Sequence, residues 1–340
     1  MVFLYHNRKY WRGWLPDYVI QQLNEFHTGV ALFFVLSGFL IAYTYADKPL
    51  ASKKDYLKYL LIRFCRIFPV YLLILTISYW DTGFPAANLI VYNYTLLKGF
   101  SDKYNLNGLP QSWTLTVELC FYILAPFIYV QAQKSISKTM AYLWLLTLLS
   151  LGIGYTWHSI NGNPGKWLYD ALFIFNGTFF GRFIEFFSGV LLAIFLKKKI
   201  VSDTVPKKRY LTFLSSFWIL AAIYAISCFE IDTYDQGTQH LTGLIIRNLI
   251  LPLFICTFLF SLITERTWLS RLLSTRVAVL MGNASYIFYL IHIGYVNRRI
   301  AAFHWLNDRN FILLWLIAIV TYLVVEKPVY DLARKQIKRW

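Results

Sequence analysis

The stretch 28–46, TGVALFFVLSGFLIAYTYA, contains no Lys, Arg, Asp or Glu. The hydrocarbon core of a bilayer is about 30 Å thick, so a helix that crosses it needs about 20 mostly apolar residues. The stretches 139–157 and 210–229 are equally free of these charged residues. All three predict membrane-spanning helices, and a chain with 58% hydrophobic residues is not an ordinary soluble globular protein.

Six further apolar stretches predict additional spans, three without charged residues and three with them. The uncharged ones are 248–264, 277–297 and 310–325, and the charged ones are 60–80, 112–130 and 182–196. The segment 84–100 is apolar but interrupted by proline and asparagine, which indicates an interfacial or re-entrant segment. The sequence thus predicts an all-α integral membrane protein, a polytopic bundle of about ten transmembrane helices in a single domain over residues 1–340. The first of these helices is incomplete, because the apolar start MVFLY is only five residues long before His6.

The charges of the connecting loops predict the orientation in the membrane. If the spans alternate, the loop 47–59 and the C-terminus share a side that carries 20 Lys and Arg residues, against 9 on the opposite side. The positive-inside rule places the richer side in the cytoplasm and His6 near the outer face. The net charge of +16 then reflects short loops that face anionic lipid, and we expect no nucleic-acid partner.

The four cysteines all lie in apolar runs, so the sequence predicts no disulfide framework. Cys65, between two arginines, is either an inert buried thiol or, less simply, a carrier of an acyl group.

Ionisable residues inside predicted spans are the first candidates for function, since a charge at the bilayer centre costs roughly 2.5–3.5 kcal/mol on insertion scales. They and the residues at the span ends are His6, Arg63, Arg66, Glu118, Arg182, Glu185, Arg247, His292 and Glu326.

Two of these sets have a spacing that indicates a specific role. Arg63 and Arg66 are three apart, so one helix face presents two guanidinium groups, which suit phosphate oxygens but also suit simple anchoring at the interface. Arg182 and Glu185 have the same spacing and can neutralise each other. Glu118, alone in its span, needs protonation or an arginine partner, which could be Arg182, Arg63 or Arg66.

The histidines allow two interpretations. His6 lies where a span meets a basic loop, and imidazole is suited to accept a proton near neutral pH. His292, in YIFYLIH, fits a hydrogen-bonded packing residue. The HxxxD pair of His304 and Asp308 is attributed to chance, and the chain contains no GxSxG, Walker A or HExxH motif.

Several motifs resemble those of the acyltransferase 3 family, integral-membrane enzymes that O-acylate cell-surface sugars and lipids. Besides TGVALFFVLSGFLIAY, they are YLKYLLIRFCRIFP (56–69), QSWTLTVELCFYILAP (111–126), GRFIEFFSGVLLA (181–193), MGNASYIFYLIHIGYV and VVEKP. The family's first span is complete and carries a basic residue about three helical turns before its histidine, so we expect the native chain to begin upstream of Met1.

The resemblance implies a multi-pass O-acyltransferase in a cell membrane, which for this family is expected to be the bacterial inner membrane. Its donor is cytoplasmic acetyl-CoA or acyl-CoA, no cofactor or metal is bound permanently, and a surface glycan or glycolipid hydroxyl is the acceptor. His6 would be the general base, with Glu118 as a second catalytic residue, and Arg63 and Arg66 would bind the donor phosphates. The supporting residues of the pore would be Ser37, Ser112, Trp113, Arg182, Glu185, Tyr286 and His292. The alternative is a glycan transporter or flippase without acyl-transfer chemistry, because a multi-span bundle with intramembrane charges also suits transport.

Overall fold

The computed structural model describes residues 1–11, 13–45, 52–200, 210–229, 236–301 and 310–339. These residues are almost entirely helical, and no strand occurs among them. His304 and Asp308 lie outside the described residues. The α-helices are α1 Val2–Asn7, α2 Asp17–Asn24, α3 Val30–Tyr45, α4 Lys53–Thr82, α5 Ala87–Tyr94, α6 Trp113–Lys134, α7 Ile136–Asn161, α8 Ala171–Gly177, α9 Phe179–Ile200, α10 Leu211–Ser227, α11 Leu241–Ile245, α12 Leu251–Thr264, α13 Trp268–Leu273, α14 Arg276–Ile291, α15 Tyr295–Ala301, α16 Asn310–Thr321 and α17 Lys327–Arg339.

The described residues contain seven helical segments long and apolar enough to cross a membrane. An eighth arises if the bent pair of α14 and α15 is one span, and α10 is a shorter apolar helix. Each of the nine predicted stretches therefore falls on one of these helices, and the prediction of an all-α multi-pass membrane protein is confirmed. The seven segments are Asp17–Tyr45, Lys53–Thr82, Pro110–Lys134, Ile136–Asn161, Ala171–Lys198, Leu241–Thr264 and Asn310–Ile337.

Two predicted boundaries were wrong. The first complete span begins at Asp17 rather than residue 28, because α2 and a 3₁₀ turn at Glu25–Gly29 lead directly into α3. The stretch 277–297 is not straight, since α14 and α15 meet at an angle of 85°. Gly294 lies at this bend with a φ of +85°, which glycine adopts without the steric cost that a side chain would add.

Exposed apolar side chains are common on the long helices, as contact with lipid requires. Helix α7 is an example, with Leu145, Leu148, Leu149 and Ile153 each more than half exposed. The four cysteines are free, as predicted.

The chain divides into two compact units. The first unit consists of Met1–Pro49, Leu124–Ile153 and Asp170–Leu272, and the second of Leu50–Ile123, Gly154–Tyr169 and Leu273–Trp340.

The first unit is built around the close pairing of α3 and α9. A Cβ added to Gly38 would lie 2.0 Å from the Phe186 carbonyl oxygen, and one added to Gly189 would lie 2.0 Å from that of Val35. The two backbones therefore touch where each helix carries a Ser-Gly pair, a type of small-residue contact typical of membrane helices. Helices α10 and α12 extend this core, and its buried cluster includes Ala31, Val35, Ala222, Leu251 and Ile255.

The second unit packs α4 against α14 and α17, and α14 against α16. The connection between α4 and α6 contains α5, which at eight residues is about 12 Å long and too short to span. A fully buried lysine, Lys98, supports this connection by donating hydrogen bonds to the carbonyl oxygens of Asn107 and of Leu109, the latter at 2.8 Å. Burial lowers the pKa of Lys98 to about 7.

Candidate active site

The predicted site residues are divided between the two units. Those of the first unit are His6, Ser37, Arg182 and Glu185, and those of the second are Arg63, Arg66, Ser112, Trp113, Glu118, Tyr286 and His292.

In the second unit, Arg63 and Glu118 meet at the ring of Tyr122. Arg63 lies 5.7 Å from the centroids of both Tyr122 and Tyr59. The Tyr122 hydroxyl donates a hydrogen bond to Glu118 Oε1. Aromatic faces attract a guanidinium group, so the two rings help to fix the position of Arg63.

Arg66, one turn further along α4, is exposed but lies within electrostatic range of Glu326. The last predicted span, 310–325, stops just before Glu326, whereas the helical segment extends to Ile337. Helix α16 continues through a π-helical segment, Tyr322–Glu326, into α17, and Glu326 is only 5% exposed. Tyr286 completes the group by donating a 2.7 Å hydrogen bond to the carbonyl oxygen of Ile67 on α4.

Ser112 and Trp113 lie at the start of α6. Ser112 is fully buried and its hydroxyl donates to the Leu109 carbonyl oxygen at 2.8 Å, while Trp113 is the first α-helical residue. Gln111, just before them, donates to the Leu290 carbonyl oxygen of α14. These contacts fix where α6 begins, and therefore where Glu118 lies.

His292 is buried at the bend between α14 and α15. Its Nδ1 lies 2.6 Å from the Tyr289 carbonyl oxygen, and its ring is parallel to that of Phe288. These contacts secure the end of α14.

In the first unit, Arg182 and Glu185 form a bidentate ion pair. Nε of Arg182 lies 2.9 Å from Glu185 Oε2 and Nη2 lies 2.6 Å from Oε1, with the side chains 3% and 0% exposed. The Arg182 guanidinium also covers the ring of Phe34 on α3 at 4.8 Å. Of the partners that the sequence offered for Arg182, the structure thus pairs it with Glu185.

Arg247 is buried in a π-helical segment, Ile246–Ile250. Its guanidinium donates to Asn176 Oδ1 at 2.6 Å, to the Phe175 carbonyl oxygen at 2.8 Å and to Asn248 Oδ1 at 2.9 Å. π-Helical segments often occur at functional sites, and Glu326 lies in the second one. Arg247 is within electrostatic range of Glu25 and Glu185.

His6 lies in α1 beside two ionisable residues that sequence reasoning missed, Glu25 and His27. The ring of Tyr5 is 4.6 Å from that of His6 and 5.4 Å from that of His27. Glu25 is completely buried. The sequence feature that could have identified Glu25 and His27 is their position immediately before the apolar stretch that starts at Thr28. It was not used because residues 7–27 contain enough polar side chains to indicate a loop.

No group of three or more His, Cys, Asp or Glu side chains within the described ranges is arranged to hold a metal ion. The chemistry available is that of imidazole, carboxylate and guanidinium groups held in a helical bundle.

A family model described as an acyltransferase domain, Acyl_transf_3, matches residues 1–326. The chain belongs to the acyltransferase 3 family. The match includes α1 with His6, the arginines of α4 and the buried Glu326, so both groups of ionisable residues lie within the acyltransferase domain.

Named relatives of this acyltransferase 3 chain come from Staphylococcus aureus. A protein of strain COL named "Putative O-acetyltransferase" is 24% identical over 361 residues, covering 96% of this chain and 54% of that protein. "O-acetyltransferase OatA" of strain NCTC 8325 is 23% identical over 344 residues, covering 91% and 53%. The chain thus spans about half the length of these curated relatives. No solved structure matches it.

Proposed function

We propose that this protein transfers an acetyl or other short acyl group from cytoplasmic acyl-CoA to a hydroxyl of a cell-surface glycan or glycolipid, within a single membrane domain. The family match across residues 1–326, with ionisable residues clustered among its helices, carries the proposal. Two relatives named as O-acetyltransferases support it.

In the proposed reaction, His6 removes the proton of the acceptor hydroxyl as its oxygen attacks the acyl carbonyl carbon. The carbon–sulfur bond of the thioester breaks, and the thiolate leaves. Arg63 and Arg66 bind phosphates of coenzyme A, for which their two donor forks on one helix face are suited. Glu118, hydrogen-bonded to Tyr122 beside Arg63, keeps that end of the donor site electrically balanced.

The test is transfer of carbon-14 from labelled acetyl-CoA to polysaccharide isolated from the producing cells, with the purified protein in lipid vesicles. His6→Ala should lower transfer by about 10²-fold or more, since general base catalysis contributes on that scale. The matched control is His158→Ala, because His158 packs on Tyr169 at a ring distance of 4.1 Å and has no proposed role. Full transfer by His6→Ala would remove His6 as the base.

The flippase alternative predicts a different pattern. The wild type would then transfer no label, while glycan would still cross vesicle membranes in its presence. That result would refute the acyltransferase proposal as a whole.

We also propose a bacterial inner-membrane location with a cytoplasmic C-terminus. The support is the basic end of α17, with Arg334, Lys335 and Arg339, because positive loops remain on the cytoplasmic side. A reporter that is active only in the cytoplasm, fused after Trp340, should be active, and an inactive reporter would reverse the orientation.

A further inference from the structure

Glu25 is a buried carboxylate in the 3₁₀ turn between α2 and α3. Its Oε1 accepts a 2.6 Å hydrogen bond from the backbone N–H of Gly237. Its Oε2 lies 3.8 Å from Nδ1 of His27. A carboxylate with no exposed surface is costly unless charged or polar groups surround it, so its position beside an imidazole requires an explanation.

The hydrogen bonds of His27 define its tautomer. Nδ1 lies 3.0 Å from the carbonyl oxygen of Asn24, which can only accept. Nδ1 therefore carries the proton and Nε2 carries the lone pair. Nε2 lies 3.4 Å from the hydroxyl of Thr238, at the long end of hydrogen-bond distances.

This is the geometry of a general base. The carbonyl oxygen of Asn24 fixes the orientation of the His27 ring, and the Glu25 carboxylate lies 3.8 Å from the protonated Nδ1. The other nitrogen, Nε2, faces the hydroxyl of Thr238. The His27 side chain keeps 18% of its surface exposed, although Asn24 and Thr28 around it are buried. A residue that only caps the turn would need no such access.

Charges of both signs surround His27. Arg182 on α9, Arg247 in the π-helical segment and His6 on α1 are within electrostatic range of His27. With Glu25 and Glu185, two guanidinium groups are balanced by two carboxylates, so a neutral imidazole leaves the resting cluster without net charge. The two guanidinium groups oppose a proton on His27, and Glu25, 3.8 Å from its Nδ1, is the carboxylate placed to offset them.

Tyr5 joins this pair to His6. Its ring contacts both imidazoles, and its hydroxyl accepts a 2.7 Å hydrogen bond from Gln236, the residue before Gly237. The same short segment, 236–238, thus supports Tyr5, Glu25 and His27.

We propose that Glu25 and His27 form a catalytic carboxylate–imidazole pair, in which Nε2 of His27 accepts the proton of the acceptor hydroxyl and Glu25 stabilises the imidazolium. As the O–H bond breaks, the oxygen bonds to the acyl carbonyl carbon, the carbon–sulfur bond breaks, and the imidazolium proton passes to the departing thiolate. The inference rests on the acyl transfer proposed above, but it assigns the proton of the acceptor hydroxyl to His27 in place of His6.

The test compares His27→Ala, His27→Gln and Glu25→Gln in the labelled acetyl-CoA assay, with His158→Ala as the control. We expect His27→Ala to lower kcat by about 10²-fold or more with the KM for acetyl-CoA nearly unchanged. Added imidazole should restore a measurable part of the rate to His27→Ala, because a small base can occupy the space of the missing ring. Glu25→Gln should lower kcat and should not respond to imidazole.

The melting temperature of each variant separates a catalytic effect from misfolding. If His27→Ala does not fold, His27→Gln is decisive, because it should lose the acidic limb of the pH dependence of kcat that a base produces. A folded His27→Gln with the wild-type rate and pH profile overturns the inference and leaves the proposed function intact. So does a folded, inactive His27→Ala that imidazole does not rescue, whereas a wild type without transfer refutes both proposals.

Discussion

The contact of α3 with α9 makes a quantitative prediction about two glycines. A Cβ at position 38 would lie 2.0 Å from the Phe186 carbonyl oxygen, about 1.4 Å short of an ordinary 3.4 Å contact. The neighbouring atom is backbone and cannot rotate away, so in Gly38→Ala the helices must separate. Overpacking typically costs about 1–3 kcal/mol, and we place this change at the upper end of that range.

The same reasoning applies to Gly189→Ala, whose Cβ would meet Val35 and Phe39 backbone atoms. Both variants should melt roughly 4 °C below the wild type when the detergent-solubilised protein is heated at one fixed rate and the folded fraction is read by size exclusion. The matched control is Gly152→Ala in α7, where a Cβ meets nothing within 4 Å. Alanine favours a helix by about 1 kcal/mol over glycine, so this control should melt at or above the wild type. If Gly38→Ala and Gly189→Ala melt with the control, the two backbones do not touch as described.

Three further results are expected. Arg182→Met and Glu185→Leu each break the buried ion pair and should each destabilise the protein by about 3–5 kcal/mol, because each leaves one buried charge without its partner. The double variant leaves no such charge and should be destabilised by clearly less. A double variant that melts below both single variants would contradict this. Because burial lowers the pKa of Lys98 to about 7, the unfolded state binds one more proton than the folded state from there up to about 10.5, the ordinary value. Relative to Lys98→Met, the free energy of unfolding of the wild type should rise in that window by about 1.4 kcal/mol per pH unit. If the melting temperatures of the two proteins change with pH in the same way from pH 7 to 9, the lowered pKa of Lys98 is refuted. Arg63→Ala and Arg66→Ala should raise the KM for acetyl-CoA about tenfold or more, as loss of a charge-assisted phosphate contact does, whereas exposed Arg276→Ala should leave it unchanged.

The spans could be predicted from sequence because lipid selects for uninterrupted apolar length, which is a local property. The uncharged run in α7 is therefore found where it was expected, and the apolar stretch that starts at Thr28 is found inside the longer helical segment Asp17–Tyr45. The bend after Ile291 was missed because no charge or proline marks it; only Gly294 does, and glycine is also common in straight membrane helices.

The candidate site was predictable only in part. The i,i+3 spacing of Arg182 and Glu185 led to their pairing as one of two alternatives, since residues three apart share a helix face. Glu25 and His27 were not predicted as site residues, because their burial depends on Gly237 and Thr238, which are more than 200 residues away in sequence. No local pattern reports a contact of that kind.

The described part of the chain contains two π-helical segments. Each carries a buried ionisable residue, Arg247 in the first unit and Glu326 in the second. A π-helical turn is rare, which indicates that it is unfavourable, and such turns are frequent at functional sites. A charge buried among membrane helices is costly for the same chain. A π-helical turn and a buried ionisable side chain coincide at Arg247 and again at Glu326, within one acyltransferase domain. A purely structural explanation would have to justify both unfavourable features at each of these positions. This coincidence makes Arg247 and Glu326 candidates for a role in the proposed acyl transfer, in which a charge has to be held in a fixed direction away from water.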